Sequence, residues 1–280
     1  MSAAHVAIVI PARYGSTRFP GKPLARLTGK FLIQHVCEQA QKSQRAGRVV
    51  VATDDNRIFE AVRGFGGEAV MTSHAHHSGT DRIAEVIKSP AFSGVEVVVN
   101  VQGDEPDMDP ALIDDLVAVL DDPPAPVRRA NAGDIMIATA SAPFSNSHEI
   151  ENPNCVKVVV DNRNCALYFS RSVIPYDRDR TLHGAALQAV GGVYRKHLGI
   201  YAYRREALLR LSGAPMCEME RLEKLEQLRA LYLGMRIFVQ ETHRAPHGVD
   251  TPEDYQAFVE RCRAHEAGEK NPMKHSAYHQ

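Results

Sequence analysis

The sequence contains few cysteines, and they do not form a recognisable set. Their number is odd and none of them make a C-x-x-C pair: Cys37, Cys155, Cys165, Cys217 and Cys262. A disulfide framework needs an even set, and a structural zinc site needs closely spaced ligands. Neither is therefore predicted, and the scattered thiols favour a protein of the reducing cytoplasm.

Long hydrophobic runs and an excess of one charge sign are also missing. No apolar run approaches the ~20 residues of a membrane helix, so no membrane insertion is predicted. The amino terminus lacks the charged segment and cleavage site of a signal peptide. The 33 Lys and Arg nearly balance the 34 Asp and Glu, giving a net charge of -1. Nucleic-acid-binding domains usually carry a basic excess, so no nucleic-acid partner is predicted.

The first half of the 280-residue chain alternates short apolar runs with amphipathic segments. Runs rich in Val and Ile predict strands at Val6–Ile10, Val49–Ala52 and Val95–Val101. Their apolar residues are continuous, which is typical of parallel strands buried on both faces. Helical spacing is found at Phe31–Ala40, Ile58–Val62 and Ile83–Ile87, and again after Asp109 (N-cap) and Pro110. The alternation predicts a doubly wound α/β fold with a mostly parallel sheet.

The second half of the chain does not continue this alternation of strands and helices. The proline-rich stretch 121–134 is predicted to be a loop or insertion. Three strands without long intervening helices then predict a smaller β-rich subdomain: CVKVVVD (155–161), ALYFS (166–170) and HLGIYAYR (197–204). A last strand is predicted at Arg236–Gln240, and a last helix with a capping box formed by Thr251, Pro252 and Asp254.

One helix is also predicted over residues 220–234, ERLEKLEQLRALYLG. Its leucines at 222, 225 and 228 should face the core, and Glu223, Glu226 and Gln227 should lie on a mostly solvated face. Residues 266–280 have little to bury and are predicted to be a mobile tail.

The segment Ile10–Pro23, IPARYGSTRFPGKP, places three cations in one short loop after the first strand. These cations are Arg13, Arg18 and Lys22. A Walker P-loop would need G-x-x-x-x-G-K followed by Ser or Thr. Here Gly15 and Gly21 are one residue too far apart, and Pro23 occupies the hydroxyl position. Any phosphate would therefore be held by side-chain charge and a few amides, in a loop that we expect to be solvated.

Acidic side chains follow another predicted strand, in NVQGDEPDMDP at residues 100–110. Asp109 is explained as a helix cap, whereas Asp104 has no such local role. Ligands of open α/β sheets bind at the carboxyl ends of strands, and Mg²⁺ binds through one or two carboxylates plus substrate phosphates. Asp104 therefore suggests a metal–triphosphate site, with a solvated acidic turn as the alternative. Asp250 could supply a second carboxylate, or could simply favour the start of the last helix.

The segment HSGTDR, residues 77–82, lies just before a predicted helix. Its amides could contact a base or sugar edge, or could cap the helix. The nearby His74, His76 and His77 lack the i, i+4 spacing and the cysteine partners of zinc sites, so they are not predicted to bind metal.

Together these segments resemble the 3-deoxy-manno-octulosonate cytidylyltransferases, the CMP-Kdo synthetases. The resemblance runs from about Val6 to about Glu260. The motifs that carry it are IPARYGSTRFPGKPL, VATDD, HSGTDRIAEV, VNVQGDEP, NPNCVKVV, ALYFSRSVIPYDRD, HLGIYAYR, LEQLR and GVDTPEDY. The opening motif alone would indicate only a sugar nucleotidyltransferase. NVQGDEP, together with HLGIYAYR and LEQLR, narrows the resemblance to the CMP-Kdo synthetases.

The resemblance implies an activity and its partners. The reaction would join CTP to 3-deoxy-D-manno-octulosonate (Kdo), giving CMP-Kdo for lipopolysaccharide biosynthesis and releasing pyrophosphate. The cofactor would be Mg²⁺, and the enzyme would be a cytoplasmic homodimer. The fold would be of the nucleotide-diphospho-sugar transferase type, with the β-rich part serving dimerisation and sugar binding. A single domain would cover 1–265, with a nucleotide part at about 1–140 and 204–265 and a sugar-side part at about 150–203.

The resemblance also implies roles for particular residues. Arg13, Lys22 and Asp104 would act in catalysis, with Asp104 and Asp250 as the metal ligands. The nucleotide would be bound by Pro11, Ala12, Arg13, Arg18, Lys22, Ser78 and Gln102. The sugar acid would be bound by Gln102, His197, Tyr201, Glu226 and Gln227.

Three alternatives stay open at this point. A CMP-sialic acid synthetase would perform the same chemistry on a different 2-keto sugar acid, although HLGIYAYR argues against it. A cytidylyltransferase for an 8-amino analogue of Kdo is the second. A non-catalytic nucleotide-binding module is the third, and it would have no need of both metal carboxylates.

Overall fold

A computed structural model describes residues 5–15, 18–125, 135–178 and 193–269, with side chains through residue 264. The strands are β1 (Val6–Ala12), β2 (Arg48–Thr53), β3 (Glu68–Met71), β4 (Val97–Asn100), β5 (Ile135–Pro143), β6 (Lys157–Val160), β7 (Ala166–Ser170), β8 (Arg195–Arg204) and β9 (Arg236–Glu241). The helices are α1 (Leu32–Ala40), α2 (Asn56–Gly64), α3 (Gly79–Lys88), α4 (Pro110–Asp121), α5 (Ser147–Glu151), α6 (Arg205–Gly213), α7 (Glu218–Glu223), α8 (Gln227–Tyr232) and α9 (Pro252–Glu269).

The described strands form one mixed sheet with the order β3-β2-β1-β4-β8-β5-β9. Along this path β8 runs antiparallel to both of its neighbours, while the pairs on either side of it are parallel. The β6–β7 hairpin attaches to β8 outside this path. The predicted doubly wound, mostly parallel α/β fold is confirmed. The chain order turns back between β1 and β4, which is the place where such folds bind ligands.

The sheet is covered on both faces. On β1, Ile8 and Ile10 point to a core shared with α1, α2 and α4, whereas Ala7 and Val9 point to a second core shared with α3, α6 and α8. Alternate side chains of a strand face opposite sides of its sheet, so a strand covered on both sides must be apolar throughout. This is the physical reason for the continuous apolar runs.

Most predicted helix starts are confirmed by their caps. Asp109 accepts a hydrogen bond from the Ala111 amide at 3.0 Å and begins α4. At α9, Thr251 Oγ1 accepts from the Asp254 amide at 3.2 Å, and the Asp254 carboxylate accepts from the Thr251 amide at 2.9 Å. Each bond satisfies an amide that has no partner within the first turn of its helix.

The single helix predicted over 220–234 is wrong. The chain forms two short helices, α7 and α8, because Lys224 adopts a left-handed conformation with φ 55° and ends α7. The Glu223 carboxylate, at the end of α7, binds the end of β7, where it accepts from Ser170 Oγ at 2.6 Å and the Arg171 amide at 2.9 Å. Leu222 was predicted to face the core but is 68% exposed.

Strands β3 and β5 were not predicted. β3 has only four residues, and β5 reads IMIATASAP, whose small residues lack the Val and Ile run expected of a buried strand. Part of the predicted loop at 121–134 lies outside the described residues, namely 126–134, and so do residues 270–280 of the predicted mobile tail. Residues 266–269, which were also predicted to belong to that tail, instead continue α9. No helix within the described part of the chain is long and apolar enough to cross a membrane.

Candidate active site

The carboxyl ends of β1 and β4 come together at the point where the strand order reverses. Gly103, just after β4, packs directly on the backbone of β1, and a Cβ atom added there would lie 2.9 Å from the carbonyl oxygen of Pro11. Only glycine allows this approach, since real Cβ atoms essentially never come so near. The contact places the loop of Asp104 directly opposite the cationic loop.

A cleft of about 560 Å³ opens above these two strand ends. Its lining includes all seven residues predicted to bind the nucleotide and both predicted metal ligands: Pro11, Ala12, Arg13, Arg18, Lys22, Ser78, Gln102, Asp104 and Asp250. Side chains distant in the sequence are thus gathered at one edge of the sheet.

Lys22 is buried in this cleft, with 8% of its surface exposed. Its Nζ donates to Asp104 Oδ2 at 2.7 Å, to the Val249 carbonyl at 2.7 Å and to Asp250 Oδ1 at 3.4 Å. The expectation of a solvated ammonium is wrong for this residue. A short 3₁₀ turn, Lys22–Leu24, begins after Gly21 at φ 71° and directs the side chain inward.

The two arginines of the loop differ from Lys22. Arg13 is exposed on the wall of the cleft. Arg18 is also exposed, and its guanidinium lies 3.1 Å from Asp250 Oδ1. The loop is folded back on itself, since Gly21 donates to the Tyr14 carbonyl at 3.0 Å. Of the three loop cations, Lys22 is therefore buried, whereas Arg13 and Arg18 are exposed at the cleft.

Three carboxyl groups lie close together at the base of the cleft. Asp104 and Asp250 share the Lys22 ammonium, and the half-buried Glu105 lies near them with its buried Oε2 unpartnered among the described residues. Burial, with the nearby charges of Asp104 and Asp250, raises the pKa of Glu105 to about 8. The sequence predicts an acidic segment here and gives Glu105 no separate role. Asp250 comes near Glu105 from a distant part of the chain, which no local pattern predicts.

This donor set suits a hard cation that also binds phosphate. Asp104 and Asp250 already converge on one positive charge. Within the described ranges, no group of three or more His, Cys, Asp and Glu side chains could hold a metal ion by itself. Mg²⁺ typically binds through one or two carboxylates and completes its shell with phosphate oxygens and water. Two of the nearby histidines pair with other carboxylates than Asp104 and Asp250. His76 contacts Glu85, and His74 lies 3.6 Å from Asp54.

Ser78 begins the helix that faces the cleft. Its hydroxyl accepts from the Asp81 amide at 3.1 Å, so the predicted helix cap of HSGTDR is confirmed. The next residue, Gly79, packs against Pro11, where an added Cβ would lie 3.2 Å from the ring. The segment thus forms the wall opposite the cationic loop.

A second, smaller cavity of about 120 Å³ adjoins the cleft, and Gly79 and Gln102 line both. Four of the five predicted sugar-binding residues line it: Gln102, Tyr201, Glu226 and Gln227. The interpretation of Glu226 and Gln227 as part of a solvated helix face is wrong, since the break at Lys224 turns them inward. Gln227 is buried, and its Nε2 has no hydrogen-bond partner among the described residues. A buried amide without a partner is rare, and this one lines the cavity, where a polar group of a ligand or a water can accept from it.

His197 lies next to this cavity, with its ring 5.4 Å from that of Tyr201. Its Nε2 is 3.1 Å from Thr139 Oγ1. Burial lowers the pKa of His197 to about 3, so the ring is neutral at physiological pH. Burial likewise raises the pKa of Tyr201 far above its usual range. Both rings therefore offer neutral hydrogen-bonding groups.

Comparisons with known proteins agree with this geometry. The cytidylyltransferase family model matches residues 7–237. A 3-deoxy-manno-octulosonate cytidylyltransferase of Syntrophotalea carbinolica is 48% identical over 263 residues, covering 94% of this chain and 99% of the relative. One of Methylococcus capsulatus is 48% identical over 266 residues, covering 95% and 98%.

The chain belongs to the 3-deoxy-manno-octulosonate cytidylyltransferase family. A solved structure of a CMP:2-keto-3-deoxy-manno-octonic acid synthetase complexed with CTP also resembles it, with a TM-score of 0.76 and 43% identity over 94% of this chain and 99% of that one. The family resemblance predicted from the sequence is confirmed.

Several side chains at the site of this cytidylyltransferase were not predicted from the sequence. Thr80 and Arg229 both bind the Glu226 carboxylate, and Glu220 holds Arg229. Their sequence signal was weak, because a threonine in a first helical turn and charges on a helix normally indicate capping or a solvated face.

Proposed function

We propose that this chain transfers CMP from CTP to Kdo, giving CMP-Kdo and pyrophosphate. One observation carries the proposal. Where the strand order reverses, a cleft lined by cations and carboxylates adjoins a smaller polar cavity. The anomeric oxygen of Kdo would bond to the α-phosphorus as the bond from that phosphorus to the α,β-bridging oxygen of CTP breaks. That oxygen would leave with pyrophosphate, and the proton of the anomeric hydroxyl would pass to water. The names of the relatives and the CTP-bound neighbour support this choice of substrates.

The cationic loop would hold the triphosphate. Arg13 and Arg18 are exposed at the cleft and could approach the phosphates, while Lys22 sits at its base. As pyrophosphate leaves, negative charge grows on its oxygens, and cations that are already in place stabilise that charge without reorganising. No covalent intermediate with the enzyme is needed, because positioning and electrostatics account for such a transfer.

Asp104 and Asp250 would hold Mg²⁺ together with phosphate oxygens. The ion would supply Lewis-acid stabilisation of the phosphoryl group in transfer. The two carboxylates support this role because they already face one cation, the ammonium of Lys22.

The remaining predicted residues would divide between base and sugar. Ser78 and the backbone of Pro11 and Ala12 would lie near the cytosine, and Gln102 would lie between nucleotide and sugar because it lines both cavities. Tyr201, Glu226, Gln227 and the neighbouring His197 would contact Kdo. The unpartnered Gln227 amide supports the presence of an acceptor such as a sugar hydroxyl or carboxylate.

A substrate panel tests the proposal. Pyrophosphate release is measured with each of the four NTPs, each with and without Kdo, and with CTP plus sialic acid or the 8-amino analogue of Kdo. We expect turnover with CTP and Kdo, because purines would crowd a pyrimidine-sized pocket. A comparable kcat/KM for ATP, or a higher one for another sugar acid, would contradict the assignment. Binding of CTP without any pyrophosphate release would identify a non-catalytic module.

We also propose that the protein is a cytoplasmic homodimer. Cys37, Cys155, Cys165 and Cys217 are not joined in disulfides, as suits a reducing compartment. Apolar side chains are exposed on β7 and the segment after it: Leu167 is 62% exposed and Tyr176 78%. A second copy of the chain would cover them, since exposed apolar patches usually mark interaction surfaces.

Light scattering after size exclusion tests the dimer. We expect the mass of two chains for the wild type and of one chain for Leu167→Asp, because the charge would be buried in the interface. Leu27→Asp is the matched control, since Leu27 is 56% exposed and lies in the turn before α1 rather than on β7. A monomeric wild type, or equal masses for both variants, would exclude this surface.

A further inference from the structure

The Glu226 carboxylate lies between the two cavities and is held from both sides. Oε2 accepts a hydrogen bond from Thr80 Oγ1 at 2.6 Å. Oε1 accepts longer bonds, at 3.3 Å, from Ser78 Oγ and from Arg229 Nη2. Ser78 lines the nucleotide cleft, whereas Glu226 lines the smaller cavity. One carboxylate thus connects helix α3, which faces the nucleotide cleft, with the smaller cavity.

Arg229 is itself held in place by other partners than Glu226. Its Nε and Nη2 each donate to Glu220 at 2.7 Å, and its Nη1 donates to the carbonyls of Leu211 and Ala214. Both side chains of this ion pair are nearly fully buried. Because these bonds fix the position of Arg229, its long 3.3 Å bond from Nη2 to Glu226 Oε1 defines the orientation of that carboxylate only loosely.

Thr80 makes the short contact that completes the orientation. It is buried in the first turn of α3, two residues after the capping Ser78. It lines the smaller cavity together with Tyr203, a buried residue of β8. A hydroxyl carried by the first turn of a packed helix can hold a carboxylate oxygen in one place.

We propose that Thr80 is a positioning residue, whose hydroxyl directs the Glu226 carboxylate into the smaller cavity and so couples helix α3 to recognition of the acceptor. The proposal rests on the proposed function, in which Glu226 contacts Kdo. Burial tends to raise the pKa of Glu226, and the Thr80 hydrogen bond opposes that shift by stabilising the carboxylate.

Steady-state kinetics of Thr80→Val provide the test. Valine keeps nearly the same shape and loses the hydroxyl. We expect kcat/KM for Kdo to fall about tenfold to a hundredfold, the range for a hydrogen bond to a charged group. The KM for CTP should stay within about twofold, the usual spread of independent effects, because Thr80 lines the smaller cavity and not the nucleotide cleft. Thr80→Ser, which keeps the hydroxyl, should recover most of the activity with Kdo.

A double-mutant cycle separates positioning from direct contact with substrate. If Thr80 acts through Glu226, adding Thr80→Val to the Glu226→Gln variant should lower its kcat/KM for Kdo by less than about twofold. An equal loss in both backgrounds would mean that the hydroxyl contacts Kdo itself, and would overturn the proposal. Wild-type kinetics for Thr80→Val would also overturn it. Should valine prevent folding, Thr80→Ala makes the same test with the same expected results.

Thr53→Val is the matched control. Thr53 is fully buried and its Oγ1 accepts a hydrogen bond from the Asp55 amide at 3.2 Å, and it lines neither cavity. It should leave both KM values unchanged, and a loss equal to that of Thr80→Val would overturn the specific role of Thr80. Failure of the wild type to use Kdo would instead refute the proposed function, so the two failures are distinguishable.

Discussion

Replacing Lys22 with alanine is expected to lower kcat by about 10²–10³, the usual effect of removing one preorganised donor from a site of developing charge. The KM for CTP should rise less than kcat falls, because a contact that strengthens in the transition state contributes mainly to kcat. Arg13→Ala should behave similarly. Steady-state kinetics at saturating Kdo and varied CTP measure both quantities.

Arg26→Ala is the matched control for this prediction. Arg26 follows the motif closely, but it is exposed, donates to the Gly29 carbonyl at 2.9 Å and does not line the cleft. Its loss should be nearly silent. Equal, small effects at positions 13, 22 and 26 would mean that the phosphates bind elsewhere.

The structure adds an expected loss of stability for Lys22→Ala. A lysine in a solvated loop would contribute little to folding, whereas this one is buried and donates to two carboxylates and a carbonyl. Hydrogen bonds of charged groups are worth about 1.5–3 kcal/mol, and their loss leaves Asp104 and Asp250 without the ammonium that they share. The urea midpoint should therefore fall, and kinetics must be recorded well below it. An unchanged midpoint would contradict the observed burial.

The second large effect concerns the metal. Activity should vanish in EDTA and return with Mg²⁺, and Asp104→Asn should lose most turnover while remaining folded. The variant should fold because the Asp104 carbonyl, which accepts from the Val249 amide at 2.8 Å, is unchanged by the substitution. Activity near that of the wild type would mean that Asp104 is only an acidic turn residue.

Metal binding provides a readout besides activity. Mn²⁺ titrated into the protein and followed by electron paramagnetic resonance should bind much more tightly when CTP is present, since the described residues offer too few ligands for a complete site. Asp104→Asn should weaken that binding. Asp107→Asn is the control, because Asp107 lies in the same acidic loop but pairs with Arg261 at 2.6 Å. Equal weakening in both variants would exclude Asp104 as a ligand.

Local patterns predicted much of the fold and the membership of the site. The apolar runs of β1, β2 and β4 were visible because a strand buried on both faces can carry few polar residues. Helix starts at Asp109 and Thr251 were visible because capping depends on neighbouring residues alone. The same patterns missed β5, whose alanines and threonine are buried by contact with β8 and β9 rather than by their own hydrophobicity.

By itself the sequence determined the α/β class, the family and the residues that gather at the cleft, because strand ends, caps and motifs are properties of short segments. The tertiary structure decided the environment of those residues. Lys22 is buried only because the Val249–Asp250 segment and Asp104 close around it, although they lie far away in the chain. Glu226 faces a cavity only because Glu223 binds the end of β7 and the chain turns at Lys224. Burial and charge pairing depend on contacts between distant segments, and helical or strand periodicity carries no record of such contacts.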